Sequence, residues 1–159
     1  MKIGVISDTH MSQPFDSLNR LMESVFADVS MVLHAGDLTS LDILEVFSGK
    51  KVISVRGNMD YYDVSQNLPD KRVIEVEGYR IGLTHGWGAR NGVEDRIKEV
   101  FQNVQAIVYG HTHTPANHIN DGILFFNPGA FPGTISAGQK RSVGLLTIDN
   151  GIKGTIISV

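Results

Sequence analysis

Short apolar runs separated by amphipathic stretches dominate the first part of the chain. "KIGVIS" (Lys2–Ser7), "MVLHA" (Met31–Ala35) and "KVISV" (Lys51–Val55) are brief and β-branched, the pattern of buried strands. Between them, Phe15–Val29 carries Leu18, Leu21, Met22, Val25 and Phe26 at helical spacing. Ser40–Phe47 turns Leu41, Leu44, Val46 and Phe47 inward as a shorter helix. Strand–helix alternation of this kind predicts a parallel sheet. Later the pattern changes. "RVIEV" and "YRIGLT" flank Glu77–Gly78 as a hairpin, and "SVGLLTI" and "IKGTIISV" flank Asp149–Asn150–Gly151 as another. Val93–Phe101 reads as a helix and Ala106–Gly110 as a further buried strand. So many strands, parallel first and antiparallel later, predict an α/β fold of two mixed β-sheets. The sheets would pack face to face as a sandwich with helices on the outer faces.

Composition narrows the class. The chain has 159 residues, which favours a single domain over 1–159. Its 42 % apolar and 19 % charged residues are ordinary for a globular protein. No cysteine is present, so disulfides and thiolate metal sites are excluded, in keeping with a cytoplasmic location. The opening "MKIGVISDTH" reaches charged and polar residues too early for a signal peptide, and no apolar run is long enough to span a membrane. A net charge of −3 gives no footprint for duplex nucleic acid.

The polar residues that follow the strands carry the chemistry. Asp8-Thr9-His10 follows the first strand, Gly36-Asp37 the second and Gly57-Asn58 the third. His85-Gly86 follows "YRIGLT", and Gly110-His111-Thr112-His113 follows "AIVY". Ligands in open α/β sheets bind outside the carboxyl ends of strands, so these segments are expected to share one rim. Two carboxylates, one amide oxygen and four imidazoles suit Mn, Fe, Zn or Ni better than Ca or Mg. They outnumber the roughly four protein ligands of one such ion. Two ions sharing a carboxylate would use them all, and a metal pair is the clamp of phosphoester hydrolysis. His34, inside an apolar run, is expected to be buried and hydrogen-bonded or to support the site. His118 is expected to be solvated.

The ordered set "DTH", "GD", "GN", "HG" and "GHTH" resembles the signature of the calcineurin-like metallophosphoesterases. "NPGA" (Asn127–Ala130) resembles a turn of that family's smallest members. Length and layout are closest to the small prokaryotic phosphodiesterase branch, which is related to the retromer's phosphoesterase-like subunit. The resemblance implies a four-layer fold and two divalent transition metals, manganese foremost, with nickel, iron or zinc as alternatives. It implies that Asp8, His10 and His113 hold one metal, that Asn58, His85 and His111 hold the other, and that Asp37 bridges them. It implies phosphodiester hydrolysis by a metal-bridging hydroxide, with a small phosphodiester as substrate and no catalytic side chain beyond the metal ligands. It also implies a homo-oligomer, a dimer or tetramer.

The departure is at residue 59. Many family members read G-N-H-[DE], with a His that serves the leaving group, where this chain reads "GNMD". Met59 has no proton to give. Asp60 is expected either to orient a ligand imidazole or to stabilise the turn. Trp87, Arg90, Tyr61 and Tyr62 follow ligand segments and are candidates for the pocket mouth, with nucleobase stacking as one role. Arg56 is expected to be a solvated strand-end residue. The rival reading is a catalytically weak, phosphoesterase-like scaffold that acts as a protein-binding module.

Overall fold

In the computed structural model, which describes residues 1–135 and 140–159, the chain forms two five-stranded mixed sheets packed face to face. The first sheet contains β1 (Lys2–Ile6), β2 (Met31–His34), β3 (Lys51–Ser54), β9 (Ser142–Ile148) and β10 (Ile152–Ser158), ordered β10-β9-β1-β2-β3. The second contains β4 (Lys71–Val76), β5 (Tyr79–Thr84), β6 (Ala106–Val108), β7 (Ala116–Asn120) and β8 (Ile123–Asn127), ordered β4-β5-β6-β8-β7. β1, β2 and β3 are parallel to one another, as are β5, β6 and β8, while hairpins supply the antiparallel edges. Among the described residues, no helix is long and apolar enough to cross a membrane.

Period-2 alternation sorts the strand side chains into layers. Ile3, Val5, Met31 and Leu33 meet Ile81, Leu83, Val108 and Phe126 between the sheets. The other faces of β1 and β2 pack against α1 (Asp16–Glu23), α2 (Asp42–Glu45) and α3 (Tyr62–Asn67) through Leu18, Leu21, Ile43 and Val64. α4 (Val93–Glu99) covers the second sheet through Val93 and Ile97 against Ile107 and Phe125. These are the four layers expected.

Three departures have physical causes. The predicted helix over 15–29 stops at Glu23, because the Ser24 hydroxyl donates to Arg20 O at 2.5 Å and competes with the ladder there. The next residues coil in turns that slide the Phe26 ring beneath Gly4, where a Cβ would sit 3.0 Å from it. α3 was not predicted, since only Val64 is buried within it. The β7–β8 hairpin was missed too: the edge strand "ANHIN" is mostly exposed and shows no apolar alternation. The "ILFF" run after Asp121–Gly122 did carry a strand signal.

The two sheets lock through one ring. Phe126 of β8 lies against Gly144 of β9 and Gly154 of β10, and a Cβ at either glycine would overlap it. Phe126→Ala is expected to cost about 3–5 kcal/mol, and Gly144→Ala about 1–3 kcal/mol by overpacking. Combining Gly144→Ala with Phe126→Leu should cost less than the sum of the single changes, as read by urea denaturation. Strict additivity would show that the ring and the glycine do not share the space.

Candidate metal centre

Parallel strands leave each sheet at the same edge, and this geometry assembles the site. The loops after β1 and β2 stay paired beyond the sheet: Asp8 N–H donates to Gly36 O, His10 N–H to Asp37 O and Met11 N–H to Leu38 O, each at 3.0 Å. The loops after β5 and β6 are joined by Gly110 N–H to His85 O at 3.1 Å. The His111 N–H then reaches across the sandwich to Asp8 Oδ2 at 3.2 Å. Asp8, His10, Asp37, His111 and His113 all have left-handed backbone, with φ between 47° and 65°. This is a costly state for non-glycine residues, and here it aims each side chain back over the rim.

The structure brings the seven sequence-derived candidates together. Asp8, His10 and His113 offer ligand atoms within 4.8 Å of one another, and so do Asp8, Asp37 and His85. Asn58 Oδ1 lies 3.2 Å from His85 Nε2 and 3.1 Å from His111 Nδ1. Each buried carboxylate faces imidazoles of both sets. Asp37 Oδ2 is 3.3 Å from His85 Nε2 and 3.8 Å from His10 Nε2, while Asp8 Oδ1 is 3.1 Å from His113 Nε2 and 3.9 Å from His10 and His85.

The donor set fits cations. His85 Nδ1 is 2.7 Å from Ala35 O and His111 Nε2 is 2.7 Å from Gly88 O. A carbonyl only accepts, so those nitrogens carry the protons. The opposite nitrogens, Nε2 of His85 and Nδ1 of His111, are then the ones turned to the oxygens of Asp37 and Asn58. A ring nitrogen that faces a carboxylate oxygen needs a positive species there, a metal ion or its own proton. Asp8 is 0 % exposed, and its Oδ1, with His113 Nε2 at 3.1 Å, has no well-formed hydrogen bond. A buried carboxylate oxygen left this way is costly unless a cation meets it. Two backbone carbonyls thus fix the tautomers that a metal would require.

Residues around the centre sort clearly. Asp60 meets no imidazole. Its Oδ1 accepts from Thr39 N–H at 2.7 Å and its Oδ2 from Gly57 N–H at 2.6 Å, which ties the third loop to the second. Gly57 is required there, because a Cβ would overlap the Asp37 carboxylate. Met59 lends its N–H to Asp37 Oδ1 at 2.8 Å and leaves its side chain 59 % exposed. Arg56 is partly exposed, as expected, and pairs with the exposed Asp70 at 2.7 Å. Trp87 lines a cavity that includes Asn58 and His85, whereas Tyr61, Tyr62 and Arg90 do not line it. His118 is exposed as expected, yet it pairs with Glu94 at 3.0 Å and stacks on Phe125. Asn127 is a supporting residue that the sequence flagged only as part of a turn. Buried, it donates to Gly110 O at 2.7 Å and Thr112 Oγ1 at 3.1 Å and steadies the segment bearing His111 and His113.

The model of the calcineurin-like phosphoesterase superfamily domain matches residues 1–151, and the chain belongs to that superfamily. A probable metallophosphoesterase of Methanothermobacter thermautotrophicus is 37 % identical over 153 residues, covering 94 % of this chain and 87 % of the relative. An archaeal phosphodiesterase of known structure superposes over the full length of both chains, with TM-score 0.76 and 26 % identity. Vps29 of Entamoeba histolytica, solved in complex with zinc, gives a TM-score of 0.71 at 25 % identity over 99 % of each chain. Two mixed sheets with few helices are the shared fold.

His34 supports the centre from beneath. Its Nδ1 accepts from Gly36 N–H at 3.2 Å, so Nε2 carries the proton and donates to Thr9 Oγ1, also at 3.2 Å. Burial, opposed in part by the Asp8 charge, lowers its pKa from 6.5 to about 3. The unfolded chain therefore binds a proton at His34 that the folded chain excludes. Stability is complete above pH 6.5 and is lost as pH falls towards 3, at no more than about 1.4 kcal/mol per pH unit. In chelator-treated protein, His34→Gln should flatten the loss of urea stability between pH 6.5 and 4.5. Equal slopes for the two proteins would show that His34 is not the acid-sensitive group.

Proposed function

We propose that the chain is a phosphodiester hydrolase that binds two divalent transition metals at this rim. Asp8, His10 and His113 would hold one, Asn58, His85 and His111 the other, with Asp37 between them. The observation that carries this reading is the convergence of seven metal-ligating groups on one shared space, including the fully buried Asp8 carboxylate. Mixed oxygen and nitrogen donors suit manganese, nickel, iron or zinc better than calcium or magnesium. Bound cations of this kind supply Lewis acidity and a water acidic enough to act as nucleophile near neutral pH.

The chain's own groups do the rest. Asp8 and Asp37, 0 % and 2 % exposed, place two negative charges where water cannot screen them. Ala35 O and Gly88 O hold His85 and His111 in the tautomers that face inward. Met59 sits beside Asp37, where a histidine would supply a proton to the departing alkoxide, and it supplies none. The proposed substrate is accordingly a small diester whose leaving group is itself acidic. No site residue favours the rival reading of a weakly catalytic binding module, because the donor set is complete.

Chelation should abolish hydrolysis of bis(4-nitrophenyl) phosphate, and added Mn²⁺ should restore it. Asp37→Asn should lower kcat/KM by about 100-fold or more, beyond what loss of an outer partner alone causes. Hydrolysis that persists in chelated protein would remove the metal from the mechanism. A second measurement compares leaving groups. Aryl diesters should turn over far faster than alkyl diesters, and Met59→His should raise alkyl turnover alone by about 100-fold. Equal chemical rates on both classes in the unmodified chain would refute the proposed lack of an acid.

A further inference from the structure

A cavity of about 650 Å³ opens directly off the rim, sharing Asn58 and His85 with the metal centre. Arg56, Asp70, Lys71 and Trp87 line the rest of it, together with Val100. Its size is that of a small-molecule site. Trp87 is the chain's only tryptophan, and it is 43 % exposed rather than packed in the core. A large aromatic residue left open in a concave, charged pocket has no packing role to explain it.

The Trp87 loop is fixed in place. Arg96 of α4 donates to Trp87 O from Nε at 3.1 Å and from Nη2 at 2.9 Å, to Asn91 O from Nη1 at 3.2 Å, and also to Ala89 O. Gly88 O, the next carbonyl, accepts from His111 Nε2 at 2.7 Å. One guanidinium therefore holds the loop from the helix side, and a candidate metal ligand holds it from the centre. The aromatic platform is thereby tied to the candidate metal centre. Beside it stand a guanidinium and a carboxylate, Arg56 and Asp70, paired at 2.7 Å. They offer donor and acceptor edges of the sort a heteroaromatic ring reads.

We propose that this cavity is a base-binding subsite: Trp87 stacks on the nucleobase of a nucleoside phosphoester whose phosphate lies over the candidate metal centre. The proposal rests on the hydrolase reading for the position of the phosphate, but the base site is tested apart from turnover. Trp87 alone reports tryptophan fluorescence, so adenosine 5′-monophosphate and ribose 5-phosphate can be titrated into Mn²⁺-loaded protein and the quenching followed. The nucleotide should quench saturably and bind about tenfold or more tighter than the sugar phosphate, the usual worth of one stacked base. By calorimetry, Trp87→Leu should remove that difference by weakening the nucleotide alone, and Trp87→Phe should recover most of it. Equal affinities for the two ligands, absence of quenching, or an equal loss of both ligands in Trp87→Leu would each overturn the subsite. Hydrolysis of bis(4-nitrophenyl) phosphate is measured in parallel. Turnover without base discrimination removes the subsite and keeps the hydrolase, whereas base discrimination without turnover does the reverse.

Discussion

Two carboxylates buried where the sheets meet are the constraint on which the rest of the structure depends. Asp8 and Asp37 are removed from water, and desolvating a carboxylate is among the most expensive events in folding. The chain offsets part of the cost with backbone N–H groups, from His111 to Asp8 and from Met59 to Asp37. It offsets more with imidazoles. The neighbouring Asp8 carboxylate raises the pKa of His113 against the effect of burial. For His85 burial pulls the pKa down, but the hydrogen bond to Asp37 and the two carboxylate charges outweigh it and raise it. For Asp37, burial pushes the carboxyl up, but His85 and the Met59 N–H hold it below the usual range. The proteins of this superfamily meet such a charge pattern with metal cations.

The centre is also a product of the sandwich. Asp8, His10, Asp37 and Asn58 come from loops of the first sheet, and His85, His111 and His113 from the second. Neither sheet carries enough donors to hold two ions. Correct docking of the sheets through Phe126, Gly144 and Gly154 is therefore a condition for the centre to exist. The dependence is mutual, since an ion that binds only the folded state stabilises it by mass action. Five left-handed candidate ligand residues, each costing on the order of 1 kcal/mol, would make sense in that light. Paired loops hold them in place, and a bound cation would supply the compensating gain.

Much of this was legible in the sequence because it was written in strong, local signals. Apolar runs ending in Asp, Asn or His gave β1, β2, β3, β5 and β6 and the seven candidate ligands, and the fold brings those residues to one rim. What escaped had weaker or competing signals. The helix over 15–29 kept its apolar period past Glu23, but one serine hydroxyl took over the carbonyl that the next turn needed. β7 faces solvent along an edge, so no apolar alternation marks it. Asp60 was ambiguous in sequence because a carboxylate near a ligand can face an imidazole or a backbone; only the positions of Thr39 and Gly57 decide for the backbone. Arg96, which holds the Trp87 loop, looked like one more helix-surface charge. Its three carbonyl partners lie five to nine residues earlier, in a segment with no periodic pattern.

Met59 and Trp87 then bear on one question from opposite sides. A centre without a proton donor is limited by how well the leaving group departs, a limit no binding energy removes unless it is realised in the transition state. A cavity fastened to the centre through Gly88 and His111 offers such binding energy away from the reacting atoms. Energy spent there on holding a base fixes the scissile bond relative to the nucleophile, and orientation can recover much of the rate that a missing acid forfeits. The two features are thus consistent with one kind of catalyst. Such a catalyst would select its substrate through a rigid remote contact and leave the protonation of the departing oxygen to solvent.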